Sequence, residues 1–227
     1  MNDTPPAGTA ARPVVTGTSD YYEQHAAEFF ADTHALDMEA FYRRFLPRIP
    51  AGGSILDAGC GSGRDAKAFS ERGYRVVAFD ASPALARLAS AHAGIPVHVR
   101  GFQDVREHAC YDGVWACASL LHVPLAAVPG ALGCLWHALK PGGVLYFSFK
   151  LGIGEGERKG RHFTDAHDAL VQSWIAALPD AGELAMWHTD DARPGRDDRW
   201  LNAIVTRLSA TDRASPRRAA GAGTGEK

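Results

Sequence analysis

Apolar and polar positions between residues 54 and 149 alternate between short apolar runs and longer amphipathic stretches. The short runs predict strands at 54–58, 75–79, 97–100, 113–116 and 144–149. The amphipathic stretches predict helices at 64–72, 83–93 and 125–139. Strands that are apolar on both faces and are joined by helices are typical of parallel β-α-β units. This region therefore predicts an α/β fold around a mostly parallel sheet.

The flanking segments extend this pattern at both ends. Apolar residues recur at helical spacing over residues 21–48 and predict two helices that are broken near 32–34. Toward the other end, a helix at 166–178 is followed by β-like runs at 183–189 and 200–208. We expect one α/β domain over residues 19–208.

Both ends of the chain have the composition of disordered tails. Residues 1–18 and 209–227 are small, polar and proline-bearing. Such segments bury too little apolar surface to offset their ordering entropy, so we expect disordered tails there.

Composition and charge exclude several classes of protein. The 227 residues carry 24 basic and 26 acidic side chains, and the net charge of −2 gives no general reason to bind nucleic acid or an anionic membrane. No apolar stretch approaches the ~20 residues of a membrane span, and no secretion signal opens the chain. The four cysteines form no C-x-x-C pair, which favours a reducing, cytoplasmic compartment. The histidines lack metal-ligand spacing, so we expect no metal.

A glycine-rich turn follows the first strand of the predicted sheet. Gly59, Gly61 and Gly63 form G-x-G-x-G, and glycine lets a ligand lie against bare backbone at a helix start. The dinucleotide pattern needs a glycine where Arg64 stands, and no lysine follows as a P-loop requires. Asp57 precedes the turn, where a carboxylate would repel a pyrophosphate and attract an ammonium or sulfonium. The turn therefore favours a ligand that carries a positive charge.

Polar side chains also follow the second and third strands. Asp80 lies 23 residues after Asp57 at a strand end, where an acid can accept hydrogen bonds from both ribose hydroxyls. Alternatively Asp80 caps the next helix, a role that Ser82 could also fill. Gln103 and Asp104 follow the third strand, where they either reach an adenine amino group or lie in a surface loop.

Five segments resemble the motifs of class I S-adenosylmethionine-dependent methyltransferases, in the right order and over residues 20–208: ILDAGCGSGRD, VVAFDAS, FQDV, YDGVWACASLLHVP and LKPGGVLYFSF. This resemblance implies a Rossmann-like three-layer sandwich. Its seven-stranded sheet would have the order 3-2-1-4-5-7-6, with the last strand antiparallel. YYEQHAAEFF, FTD and RPGRDDRWLN resemble a bacterial subgroup with tellurite-resistance-type relatives.

The resemblance also implies S-adenosylmethionine as cofactor, S-adenosylhomocysteine as product, and a set of cofactor contacts. The implied contacts, from the methionine end to the adenine, are Tyr22, Asp57, Ala58, Gly59, Cys60, Gly61, Arg64, Asp80, Ala81, Ser82, Gln103, Asp104, Ala118 and Ser119. Arg64 and Tyr22 would reach the cofactor carboxylate. The fourth motif lacks the N-P-P-Y or D-P-P-Y of amino-directed nucleic-acid methyltransferases, so methylation of a DNA base is disfavoured.

The methyl acceptor is less constrained, because methyl transfer needs mainly alignment and a base only when the acceptor loses a proton. His122 is a candidate base, or else a packed helix-start residue. Lys150, Arg161, Arg196 and Trp200 are candidate acceptor contacts. The three cations among them belong to what we call the cationic rim, which would suit an anionic acceptor and comprises Lys150, Arg158, Arg161, His162, Arg193, Arg196 and Arg199. Alternatively these side chains lie in solvated loops and pair with Asp190, Asp191, Asp197 and Asp198.

Methyl transfer to a small molecule is therefore the leading hypothesis. A methyltransferase acting on RNA or protein, a nicotinamide-dependent reductase and a non-catalytic S-adenosylmethionine sensor are the alternatives that the sequence leaves open.

Overall fold

The structure, a computed structural model, describes residues 16–193 and 195–214. Its strands are β1 (Ser54–Ala58), β2 (Arg75–Asp80), β3 (Val97–Val99), β4 (Tyr111–Ala116), β5 (Leu139–Lys150), β6 (Glu155–Arg158), β7 (Arg161–Thr164), β8 (Ala181–Asp190) and β9 (Arg199–Arg207). Seven of them form one sheet in the order β3-β2-β1-β4-β5-β9-β8. The first five run parallel, and β9 is antiparallel to both of its neighbours. The predicted strand order and reversed last strand are confirmed.

Helices cover both faces of the sheet. They are α1 (Thr16–Gln24), α2 (Ala26–Thr33), α3 (Glu39–Phe45), α4 (Arg64–Glu71), α5 (Pro83–Ala93), α6 (Val128–Ala138), α7 (Asp168–Ala176) and α8 (Ala210–Ala214). None of these described helices is long and apolar enough to cross a bilayer.

Two separate apolar cores show the three-layer arrangement, and β5 contributes to both because successive side chains of a strand point to opposite faces. Leu145 and Phe147 pack in the core that holds α6 and α7. Val144 and Tyr146 pack in the other core, with side chains of α3. The predicted three-layer sandwich is therefore the observed fold.

Three features at the chain's margins differ from the sequence-based expectations. Helix α1 begins at Thr16, inside the segment expected to be a tail, because the buried hydroxyl of Thr18 accepts a hydrogen bond from the amide of His162 (2.8 Å). At the other end α8 is a helix within the segment expected to be a tail, while residues 1–15 and 215–227 lie outside the described residues. The N-terminal region contains three helices where two were expected.

A β-hairpin replaces the first of the two loops expected to carry the cationic rim. Strands β6 and β7 pair antiparallel, with Arg158 opposite Arg161. The hydrophobic pattern does not predict this hairpin, because β6 (EGER) is exposed along its whole length and has no apolar alternation. The hairpin carries Arg161 and His162 on a fixed element over the carboxyl ends of the sheet.

Candidate active site

The turn between β1 and α4 is held against three other segments. Gly59 and Gly61 have φ angles of 74° and 55°, and the amide of Gly59 donates to the carbonyl of Phe79 in β2 (2.9 Å). A Cβ on Gly59 would lie 2.6 Å from that of Ser119, and one on Gly61 would lie 3.0 Å from Cε1 of Phe29. Both positions therefore need glycine for the backbone conformation and for the close approach.

Asp80 ends β2 directly beside this turn. Its Oδ2 accepts a hydrogen bond from the amide of Gly61 and its Oδ1 from the amide of Ser82, both at 2.9 Å. Burial raises the pKa of Asp80 to about 6, although these amide hydrogen bonds oppose the shift. The cap of α5 is Ser82, whose Oγ accepts from the amide of Leu85 (3.2 Å). A carboxylate has about four acceptor positions, so Asp80 keeps capacity for a ligand.

Asp57 is a buried carboxyl at the end of β1, with a side chain that has unused bonding capacity. The amide of Ala66 donates to it, but within the described part of the chain no group hydrogen-bonds to its Oδ2. Burial, and then the negative charge of Asp65, raises its pKa well above the usual carboxyl range. A buried acceptor without a partner is costly, so this oxygen suits a ligand that brings a donor or a positive charge.

Arg64 forms an ion pair with Asp65, an acid that the sequence motifs did not indicate. Its Nε and Nη2 donate to the two oxygens of Asp65 (2.7 and 2.8 Å). Asp65 also accepts from the hydroxyl of Tyr42 (2.5 Å) and from Nε1 of Trp115 (2.8 Å). Of the guanidinium nitrogens, Nη1 is therefore the one left to meet a cofactor carboxylate. The available signal for Asp65 was its place as the acid in the first turn of the helix after the glycine turn.

A first cavity of about 340 Å³ lies at the carboxyl ends of β1 and β2. Its lining includes nine of the predicted cofactor contacts, Tyr22, Gly59, Gly61, Asp80, Ala81, Ser82, Gln103, Ala118 and Ser119. It also includes side chains that sequence reasoning missed, among them Phe79, Arg100 and Phe102. These residues bring together the positions expected to hold ribose and adenine.

Some predicted contacts lie elsewhere, and the buried Asp57 is part of the lining of neither the first cavity nor the one that adjoins it. Asp104 is not part of the first cavity's lining, because its carboxylate turns back to accept from the amide of Gly101 (3.0 Å). The hydroxyl of Ser82 is engaged in the α5 cap and with Glu23, and its amide donates to Asp80, so Ser82 contributes to the wall of the first cavity without a free polar group. Ala58 is fully buried, and its carbonyl accepts from the hydroxyl of Ser119 (2.7 Å).

A second cavity of about 170 Å³ adjoins the first. The two share Tyr22, Phe29, Gly59, Gly61, Ala118 and His122. The second cavity is also lined by Cys60 and Arg64, by the aromatic side chains Phe41, Tyr146, Phe163 and Trp200, and by Lys150, Arg161, Arg193 and Arg196. Ligands in the two cavities would therefore meet beside the glycine turn.

Tyr22 and His122 form a hydrogen-bonded pair at this junction. Nδ1 of His122 lies 2.7 Å from the carbonyl oxygen of His162, which can only accept, so Nδ1 carries the proton. Nε2 is then the acceptor for the hydroxyl of Tyr22, at 2.8 Å. Burial, with a smaller contribution from the positive charge of Arg161, lowers the pKa of His122 to about 4. The imidazole is therefore neutral at pH 7, and its unprotonated Nε2 accepts from Tyr22.

Some cations of the cationic rim pair with acidic side chains, and others do not. Lys150 pairs with Asp198 (2.7 Å), and Nε of Arg193 donates to Asp191 (2.9 Å). Nε1 of Trp200 also donates to Asp191, at 3.2 Å. These contacts agree with the solvated-loop alternative for part of the rim. All four predicted acceptor contacts, Lys150, Arg161, Arg196 and Trp200, nevertheless line the second cavity.

Metal-ligating side chains do not gather in the described residues. There, no group of three or more His, Cys, Asp and Glu side chains is placed to hold a metal ion. That the protein uses no metal stays a prediction.

Comparison with known proteins identifies the family that this fold and site define. A seven-stranded sheet of this order, with a glycine turn after β1 and an acid ending β2, is the architecture of the class I S-adenosylmethionine-dependent methyltransferases. Residues 29–202 match a family described as "Methyltransferase domain". The chain belongs to this family, and the resemblance stated from the motifs is confirmed; the tellurite-resistance-type subgroup stays a prediction.

Curated relatives match over part of their length. The chain is 38% identical over 108 residues to the ubiquinone biosynthesis O-methyltransferase of Xanthomonas axonopodis pv. citri, covering 44% of each protein. It is 34% identical over 99 residues to the malonyl-[acyl-carrier protein] O-methyltransferase of Serratia marcescens, covering 43% of this chain and 38% of that protein. The chain thus spans less than half the length of these relatives.

Solved structures share the fold at low sequence identity. A methyltransferase of Methanosarcina mazei superposes with a TM-score of 0.64 at 17% identity, covering 77% of this chain and all of that one. The 1,6-didemethyltoxoflavin N1-methyltransferase of Burkholderia thailandensis gives a TM-score of 0.59 at 21% identity, covering 90% and 94%.

Proposed function

We propose that this protein transfers a methyl group from S-adenosylmethionine to an oxygen atom of a small molecule. The observation that carries the proposal is the junction of the two cavities, where Tyr22 and His122 lie beside the glycine turn. The curated relatives, which are named O-methyltransferases, support an oxygen acceptor. The limited volume of the second cavity supports a small molecule over RNA or protein.

The residues present fit S-adenosylmethionine, and Asp80, a carboxylate with unused acceptor positions on the wall of the first cavity, is the clearest sign. Asp57 would place a negative charge behind the glycine turn, near the ammonium group, and Nη1 of Arg64 would donate to the carboxylate. Asp80 would accept from the ribose hydroxyls, while Phe102 and Gln103 would flank the adenine. When bound, the cofactor supplies a methyl group made electrophilic by a positively charged sulfur.

Tyr22 and His122 would remove the proton of an acceptor hydroxyl. The oxygen of Tyr22 takes up that proton while its own proton passes to Nε2 of His122, over the existing 2.8 Å hydrogen bond. The carbonyl of His162 stays bonded to Nδ1–H and stabilises the imidazolium that forms. The chain's own contribution to the reaction is thus a fixed proton path at the junction.

Replacing Tyr22 with Phe tests this path and the reaction together. Wild-type protein, S-adenosylmethionine and a panel of phenols and hydroxy acids should yield S-adenosylhomocysteine, followed by mass spectrometry. Tyr22→Phe should lower the single-turnover rate by roughly ten- to a hundredfold. This loss is smaller than is usual when a general base is removed, because His122 remains. Its affinity for S-adenosylhomocysteine should stay within about threefold, because the phenyl ring that lines the cavities is kept.

Tyr21→Phe is the matched control, because the neighbouring ring stacks on His25 and does not line either cavity. It should leave the rate unchanged. Equal rates for Tyr22→Phe and wild type would contradict the proton path. Cofactor binding without S-adenosylhomocysteine from any acceptor would contradict the reaction and favour a sensor.

The affinity for S-adenosylhomocysteine should depend on pH through Asp80. Burial raises the pKa of this carboxyl to about 6, and hydroxyl donors bind its ionised form, so affinity is full above pH 7 and falls as the pH drops through 6. We expect the Kd to rise about tenfold between pH 7.5 and 5.0. Calorimetric titration at both pH values measures this change. Asp80→Asn lacks the titrating group and should show a flatter profile, and a pH-independent wild-type Kd would refute the assignment.

A further inference from the structure

Arg161 is a cation of the second cavity whose bonding capacity is mostly unused. It lies on β7, and its guanidinium carbon is 4.5 Å from the ring centroid of Tyr21 and 5.1 Å from that of Phe163. Its one recorded hydrogen bond is a long one, from Nη1 to the hydroxyl of Tyr22 (3.4 Å). Nε is buried and has no partner within the described residues. Three of the four N–H groups on its terminal nitrogens are therefore available to a ligand.

The neighbouring cations differ from Arg161 in having acids. Lys150 pairs with Asp198, Arg193 with Asp191, and Arg158 on the same hairpin with Asp165 (2.6 Å). Over residues 16–193 and 195–214, no carboxylate lies within ion-pair distance of Arg161. A partly buried positive charge without a counterion is unfavourable on its own. Because Arg161 lines the second cavity, its charge favours the binding of an anion from outside the chain.

We propose that Arg161 binds the oxyanion of an aromatic methyl acceptor, either a carboxylate or a phosphonate-type group. The planar guanidinium offers its two terminal nitrogens as a fork, which matches the two oxygens of such a group. The walls of the second cavity suit an aromatic body, because Phe41, Tyr146, Phe163 and Trp200 line it. This inference rests on the proposed function and names the class of its substrate.

The position of Arg161 places that anion next to the proposed chemistry. Nη1 lies 3.4 Å from the hydroxyl of Tyr22, which is itself hydrogen-bonded to His122. An acceptor anchored through its oxyanion would thus hold its remaining groups beside the proton path. The hairpin keeps this geometry, because the amide of His162 is tied to Thr18 in α1.

The test uses simple aryl probes on protein saturated with S-adenosylhomocysteine. Calorimetric titration compares benzoate and phenylphosphonate with benzamide, a neutral analogue of benzoate. At least one anion should bind about tenfold or more tightly than benzamide, as expected for a charge-assisted bidentate pair. Arg161→Gln should abolish that difference and leave benzamide affinity unchanged. Whichever anion binds more tightly identifies the oxyanion carried by the acceptor.

Arg158→Gln is the matched control. Arg158 lies opposite Arg161 in the hairpin and also lies over the ring of Phe163 (4.8 Å), but it has its own acid and does not line the cavity. Its substitution should leave anion binding unchanged. Arg161→Lys is a second variant, which keeps the charge without the fork and should weaken anion binding less than Arg161→Gln does.

The outcomes separate this inference from the proposed function. Failure of wild-type protein to bind S-adenosylhomocysteine would contradict the proposed function before any aryl probe is added. Normal cofactor binding with no preference for either anion over benzamide would overturn the Arg161 inference alone. A preference for the anion that survives in Arg161→Gln would overturn it equally.

Discussion

Replacing Asp80 with Ala should weaken the binding of S-adenosylhomocysteine by at least about 100-fold. The carboxylate ends β2 at the wall of the first cavity and would accept from both ribose hydroxyls. Hydrogen bonds to a charged group contribute about 1.5–3 kcal/mol each, and two of them amount to about 3 kcal/mol or more. Since about 1.4 kcal/mol corresponds to tenfold in affinity, the loss exceeds two orders of magnitude. Calorimetric titration at pH 7.5 measures it.

A second variant separates the loss of the ligand contact from damage to the turn. Asp80→Ala also frees the amides of Gly61 and Ser82, which now donate to the carboxylate. Asp80→Asn keeps a carbonyl oxygen for one of these amides, so its melting temperature should fall less than that of Asp80→Ala. It should still weaken binding, by about tenfold, because the charge is lost.

Asp104→Asn is the control in the same region. Chain position predicts that Asp104 lies at the adenine, but its carboxylate accepts from the amide of Gly101 and does not line the first cavity. We therefore expect its affinity for S-adenosylhomocysteine to stay within about threefold of wild type. Equal losses for Asp80→Ala and Asp104→Asn would argue against the ribose role of Asp80.

The sequence predicted the sheet and its ligand-binding edge because both follow from local pattern and connection rules. Apolar runs joined by helices define parallel strands, and ligands of such sheets bind at the carboxyl ends of the strands. Gly59, Gly61 and Asp80 lie at that edge by chain position alone. The structure accordingly places all three on the wall of one cavity.

Side-chain partners were less predictable, because they depend on elements that are distant in the chain. Arg64 was expected to face the cofactor, yet its neighbour Asp65 takes two of its nitrogens. Asp65 is fixed there by Tyr42 and Trp115, which are 23 and 50 positions away. Likewise, charge counting could not tell which arginine of the cationic rim lacks an acid. Only the tertiary placement distinguishes Arg161 from Arg158.

The N-terminal helix shows how a segment with a weak sequence signal can complete the site. Glu23 of α1 accepts from the amide of Ala84 (2.8 Å) and from the hydroxyl of Ser82 (3.1 Å), which ties α1 to the start of α5. Thr18 ties the same helix to the hairpin. Tyr22 is thereby held between two anchored ends, where it lines both cavities. Tyr22 is thus a packed aromatic side chain at the junction of the two cavities.

Asp65 and Asp57 are neighbouring buried carboxyls for which we expect opposite effects of the same substitution. Asp65 receives hydrogen bonds from Arg64, Tyr42 and Trp115, whereas Oδ2 of Asp57 receives none from the described residues. Burial alone would raise the pKa of both carboxyls. The charge and hydrogen bonds of Arg64 reverse the shift at Asp65 and hold its pKa below the usual range. Asp65 is therefore a stabilising anion, while Asp57 is a costly one.

Asp65→Asn should lower the free energy of unfolding by about 3–5 kcal/mol, as expected when one partner of a buried ion pair is removed. Arg64, with a side chain only 16% exposed, would be left with an uncompensated charge. The amide nitrogen of the new side chain would also face one of the three donors. For a chain of this size the melting temperature should fall by roughly 10 °C, measured by calorimetry or circular dichroism at pH 7.

Asp57→Asn should leave the melting temperature unchanged or raise it, since it removes a desolvated carboxyl that lies near the charge of Asp65. It should nevertheless weaken S-adenosylhomocysteine binding, because the ligand's ammonium loses its anion. The two variants thus separate stability from binding at adjacent sites. Equal destabilisation by both would show that Asp65 is not the anchor of this network.

The acid limb of stability gives an independent check on Asp65. Because its pKa is lower in the folded protein than in the unfolded chain, its contribution is present above the ordinary carboxyl pKa and is lost as the pH falls through the folded value. The difference in stability between wild type and Asp65→Asn should therefore be full at neutral pH and shrink only in strong acid. A difference that already disappears near pH 6 would mean that the group providing the stability titrates like Asp80 rather than like a carboxylate held by Arg64.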